Sequence, residues 1–69
     1  MNENDYKISL SAARVNVGLS QREIAEKMQV SRATVINWET GKVIPKPAEF
    51  MLFCSICKAP LDMVSLPER

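Results

Sequence analysis

The chain has no histidine, only two cysteines and only two glycines among its 69 residues. Each shortage removes a class of chemistry. A structural zinc site takes four ligands, and Cys54 and Cys57 have no histidine and no further cysteine to complete one. Two cysteines are also too few for a disulfide framework; spaced three apart in an apolar stretch, they read as small groups in a helix–helix contact. Imidazole catalysis is excluded, Gly18 and Gly41 cannot by themselves form a phosphate-cradling loop, and no paired carboxylates mark a cleft. The expectation is a non-enzyme without metal, cofactor or small-molecule ligand. Aromatics are scarce as well, at one Trp, one Tyr and two Phe. The core must therefore be mainly aliphatic, Trp38 reads as its anchor, and the row of stacking aromatics typical of single-strand binders is missing. No apolar run approaches the roughly 20 residues that span a bilayer, and the polar, acidic start of the chain is unlike a signal or transit peptide. A cytoplasmic protein is expected.

What is present is one domain's worth of chain, near the lower limit at which a hydrophobic core holds without help. Hydrophobic residues at 46% and charged ones at 25% are ordinary for a folded protein. The net charge of +1 is uninformative, but its distribution is not. Residues 14–46 carry six basic side chains (Arg14, Arg22, Lys27, Arg32, Lys42, Lys46) against three acidic ones, hence +3, while the remainder is −2. A basic cluster of this kind suits phosphate contacts, or else is an ordinary solvated surface.

Residues 19–41 organise the chain. Ser20 with Glu23 fits a capping box, so a helix should begin at Gln21. Ile24, Ala25 and Met28 form its inner stripe, and Arg22, Glu23, Glu26 and Lys27 face out. Ser31, three residues past Met28, is a second cap signal and leaves room only for a tight corner. The helix that follows turns Val35 and Trp38 inward, and Gly41 supplies the left-handed position that ends it.

The spacing resembles the helix-turn-helix of the Cro/C1 or XRE type of bacterial and phage repressors. The resemblance rests on Arg14, the Gly18-Leu19-Ser20-Gln21 run, Glu23, Ala25, Val30-Ser31, Thr34, Trp38-Glu39, Gly41 and Pro45, and extends more loosely through Leu61-Asp62. Gln29 departs from it, standing where the family often has Gly before the hydrophobic residue that precedes the second cap; a non-Gly residue there costs something if φ is positive. The resemblance implies an all-α, lambda-repressor-like bundle of about five short helices, with the second and third forming the motif. It also implies that Arg14 pairs with an acidic residue of the fold, for which Glu39 is the candidate.

The rest of the chain fits one domain with an arm at 1–8, a helical core at 9–64 and a tail at 65–69. Ser9 is the better cap for a first helix with Leu10, Ala13 and Val17 as its stripe, ended by Gly18; Asp5 is the competing cap. Tyr6 and Ile8 are the places where the arm would touch the core. Two prolines at 45 and 47 forbid regular helix, and Pro47 suits the first position of a fourth helix running to about Lys58. That helix is apolar on more than one face: Phe50, Phe53, Cys54 and Cys57 read as inward, which leaves Met51, Leu52 and Ile56 outward. Residues 60–64 should make a short fifth helix.

By the resemblance, the third helix enters the major groove of double-stranded DNA. Positions matching base contacts are Ser31, Arg32, Ala33 and Asn37: Arg32 suits the paired acceptors of guanine, Asn37 adenine, and Ala33, with Ile36 as a further candidate, thymine methyls. Positions matching phosphate contacts are Gln21, Thr40, Lys42 and Lys46. Met51, Leu52, Ile56, Val64 and Leu66 are expected at a dimer interface, by likeness to small family members that pair through their C-terminal helices. The function expected is a repressor of prophage or mobile-element type, bound as a homodimer to a palindromic operator. The alternative is a protein-binding module, an antitoxin or anti-repressor partner, using the apolar surface of the fourth helix.

Overall fold

Three serines start three helices. The computed structural model describes residues 7–66, and in it the hydroxyls of Ser9, Ser20 and Ser31 accept the amides of Ala12, Glu23 and Thr34 at 3.0–3.1 Å. The helices they open are α1 (Leu10–Asn16), α2 (Gln21–Met28) and α3 (Arg32–Thr40). At α2 the capping box closes, with the Ser20 amide donating to the Glu23 carboxylate at 2.9 Å. That bond and the Ser20 hydroxyl hold the Glu23 carboxyl below the usual carboxylate range, so this cap is complete at neutral pH and is lost as pH falls through Glu23's lowered value. The fourth helix, α4 (Pro47–Ile56), starts on Pro47 as expected, with the Lys46 amide donating to Glu49.

Three of the helix ends share one geometry. After α1, α2 and α4 the chain turns left-handed at Gly18, Gln29 and Lys58, and the next residue's amide reaches back to the carbonyls of Arg14, Ala25 and Cys54. This closure satisfies carbonyls the helix leaves open. It also stops α4 at Ile56, two residues before the expected end at Lys58. Gln29 sits at φ 58° and ψ 41°, a conformation that costs an L-residue with a Cβ about 1–2 kcal/mol. Gln29→Gly should therefore raise stability by about 0.5–1 kcal/mol, less than the relieved strain because Gly loosens the unfolded chain. Urea denaturation monitored at Trp38 would show the gain; a loss would mean that the corner does not hold this strain.

The core joins Leu10 and Ala13 of α1, Ile24, Ala25 and Met28 of α2, Val35 and Trp38 of α3, and Phe53, Cys54, Cys57 and Val64. Trp38 is 2% exposed and meets Phe53 edge-on, with ring centroids 6.4 Å apart, so it is the anchor its position suggested. Both thiols are buried, and burial pushes Cys57 up to about 11. Two un-ionised thiols inside a helical core fit the packing role read from their spacing.

The C-terminal region departs from expectation. Residues 60–64 form no fifth α-helix. Leu61–Met63 make one 3₁₀ turn behind Pro60, and Val64–Ser65 form a strand, β2, that pairs in parallel with β1 (Ile8–Ser9), Ile8 opposite Val64. Three residues after a proline are too few to nucleate a helix, whereas β-branched Val64 suits an extended partner. The expected arm and tail thus each give a residue to this ladder, and Val64 enters the core at 5% exposure, not a partner surface. Val17, expected in the stripe of α1, lies beyond its end and is 38% exposed. Phe50 is half-buried against the core. Tyr6, Asp5 and Pro67 lie outside the described residues.

Candidate nucleic-acid interface

With Val35 and Trp38 buried, the side of α3 turned away from the core carries Ala33, Ile36, Asn37 and Thr40, spaced three, four and seven apart as one helical row, with Arg32 at its N-terminal edge. Arg32, Ala33 and Thr40 are exposed and Asn37 is partly so. Arg32 and Asn37 are about 7.5 Å apart along the axis by helical rise, the span of roughly two base pairs. Among the described residues Arg32 takes part in no ion pair. Half-buried Ile36 occupies the centre of the row. From the sequence it is only a further candidate; its signal is its place three residues after Ala33.

Other expected contacts prove to be partly engaged within the chain. The Ser31 hydroxyl caps α3 and lies 2.8 Å from the Thr34 hydroxyl, so its first role is to begin the helix. Thr40 donates its hydroxyl proton to the Ile36 carbonyl at 3.0 Å, which leaves this hydroxyl an acceptor, not a donor, to offer outward. The Gln21 carboxamide donates to Glu39 at 3.0 Å. What Gln21 still offers is its position at the start of α2, where the first amides lack intrahelical acceptors and favour an anion. Lys42 and Lys46 are both exposed. The loop carrying Lys42 is drawn back onto α3 by the Val43 amide, which donates to the Asn37 carbonyl at 3.1 Å.

One polar network fixes α3 against the helices before it. Arg14 donates to both oxygens of Glu39, at 2.7 Å from Nε and 3.2 Å from Nη2, and its Nη1 donates to the Leu19 carbonyl at 2.8 Å. With Gln21 added, Glu39 accepts three hydrogen bonds from α1 and α2. The pair resembles an exposed salt bridge only in sequence, because the side chains are 12% and 6% exposed. Forked geometry and burial make this the strong kind of ion pair. Its consequence is positional: Glu39 belongs to the same helix as Arg32 and Asn37.

The α2–corner–α3 unit, with a capped second helix whose outer row is accessible, is the geometry by which a helix enters the major groove. A family model described as helix-turn-helix matches residues 10–64. The chain belongs to the Cro/C1-type, or XRE, helix-turn-helix family. It is thus a DNA-binding regulatory domain of that type, all-α in class, with a single short strand pair among its described residues. No curated protein and no solved structure matches the chain. Among the described residues no helix is long and apolar enough to cross a membrane.

Within the helix-turn-helix frame the expected dimer residues separate. Met51 is 55% and Leu52 45% exposed, but they project about 100° apart around α4. Met51 lies toward exposed Ala48 and Ser55, whereas Leu52 lies toward half-buried Ile56. Leu66 is half-buried against the core.

Proposed function

We propose that this helix-turn-helix domain is a sequence-specific transcriptional regulator, a repressor of prophage or mobile-element type acting in the cytoplasm, which binds a palindromic operator as a homodimer with α3 in the major groove. The observation that carries this reading is the accessible row of Arg32, Ala33, Ile36, Asn37 and Thr40 on a helix clamped by Arg14 and Gln21. Arg32 reads guanine bidentately, Asn37 reads adenine, and Ala33 and Ile36 meet thymine methyls. Lys42 and Lys46 hold phosphates, as does the N-terminus of α2 at Gln21.

Blocking polymerase is the simplest output of such a domain, and two recognition helices about one turn of DNA apart supply specificity that one lacks. The two copies pair through the uncharged outer strip of α4 around Met51.

Binding to a duplex should weaken with salt, log K falling by about 0.9 per phosphate contacted per unit of log salt. Lys42→Ala should lower that slope by about 1, as read by fluorescence anisotropy across a salt series; an unchanged slope removes Lys42 from the interface. Met51→Glu should shift sedimentation from dimer toward monomer and weaken operator binding. A parent that sediments as a monomer at operator-binding concentrations would contradict the pairing.

A further inference from the structure

The second flank of α4 lies outside the DNA-facing row of α3 and outside the pairing proposed around Met51. There Leu52 and Ile56, one turn apart, join Val17 and Leu19 from the α1–α2 connection to line an open groove of about 520 Å³. The remaining lining is Lys27, in the last turn of α2, and Lys58, just past the end of α4. Among the described residues the groove is lined by apolar side chains and two cations, with no acidic residue. Among the described residues neither lysine is in an ion pair. Glu23, one turn before Lys27, feels its charge, but its carboxylate is bonded to the Ser20 amide at the far end of α2.

This charge pattern selects the occupant. A two-fold interface sets a patch against its own copy, and this patch against itself would gather Lys27 and Lys58 of both copies with no carboxylate from the lining between them. Like charges brought together in this way oppose association. An apolar groove with cations at its edges suits an apolar surface that carries negative charge at its own edges.

We propose that the groove docks an amphipathic helical segment of a partner protein, with apolar side chains one turn apart on Val17, Leu19, Leu52 and Ile56 and carboxylates meeting Lys27 and Lys58. The mode is a helix laid in a groove, with apolar contacts giving affinity and the two lysines setting orientation and selectivity. None of the groove's lining residues belongs to the DNA-facing set of Arg32, Ala33, Ile36, Asn37, Thr40, Lys42 and Lys46. Partner docking and DNA binding can therefore fail separately.

Two synthetic amphipathic peptides with the same leucine face test this, one flanked by glutamates and one by lysines, each titrated into the ¹⁵N-labelled 69-residue chain. The glutamate peptide should shift the amides of Val17, Leu19, Lys27, Leu52, Ile56 and Lys58, leave Arg32 and Asn37 unmoved, and bind at least about tenfold more tightly than the lysine peptide, the step a charge contribution of about 1.4 kcal/mol produces. The double variant Lys27→Glu/Lys58→Glu alters only exposed side chains, so it should fold, as circular dichroism can check, and should reverse the preference. Equal binding of the two peptides, or shifts confined to α3 or to the Met51 flank, overturns the proposal. So do concentration-dependent shifts of Leu52 and Ile56 without peptide, which would place a second copy in the groove.

Discussion

Arg14→Ala should cost about 3–5 kcal/mol of stability, the usual penalty for removing one partner of a buried ion pair. Glu39, whose side chain is 6% exposed in the parent, keeps only the Gln21 amide as a donor in the variant, and the Leu19 carbonyl loses its guanidinium partner. Folded domains are stable by about 0.05–0.15 kcal/mol per residue, so a chain of 69 residues has little margin. Thermal denaturation should show a fall of well over 10 °C, at about 4–8 °C per kcal/mol for domains of this size, or a chain unfolded at room temperature. Arg14→Lys should recover only part of the loss, since an ammonium cannot make the two parallel bonds to Glu39. A melting temperature within about 3 °C of the parent would show that the network is ornamental, and with it the claim that α3 is clamped.

Arg32→Ala and Asn37→Ala should each cost about 1–3 kcal/mol of discrimination at the base pair they read, roughly a tenfold to hundredfold loss on the operator. Neither side chain is in the core, so both variants should melt near the parent temperature. The contrast with Arg14 is the useful part. Arg14→Ala should lose DNA binding through loss of fold, whereas these two lose it with the fold intact. Competition binding between a matched duplex and one changed at a single position separates the cases, because a reader of that base becomes indifferent to the change. If either variant keeps the full preference of the parent, its residue does not read a base.

The motif was legible in the chain because its signals are local. Ser9, Ser20 and Ser31 each act within three residues of themselves, and Gly18 and Gly41 stop helices by virtue of lacking a side chain. The Arg14–Glu39 pair spans 25 positions and was reachable only through the family pattern, and even then its burial was not, since exposure depends on what else surrounds the pair. Residues 60–64 read as helix in the sequence for a related reason. Nothing local to Val64 announces that Ile8, far away in the chain, will offer it a parallel partner. Lys58 gives no sign that it turns left-handed and stops α4 two residues short of the expected end, because a left-handed lysine is unfavourable in isolation and is sustained here by the closure onto Cys54 and Ser55. Among site residues, the inward reading of Val35 and Trp38 leaves the opposite side of α3 outward, but spacing does not show that Thr40, Ser31 and Gln21 have part of their hydrogen-bonding capacity used inside the fold.

The most direct test is selection of bound duplexes from a random DNA pool by the purified protein, run beside Arg32→Ala. Reading of DNA by α3 as a pair predicts an enriched palindrome, its half-sites separated by about one helical turn, and loss of a guanine preference in the variant. A folded protein that enriches no sequence, or a variant that enriches the same sequence as the parent, would contradict it.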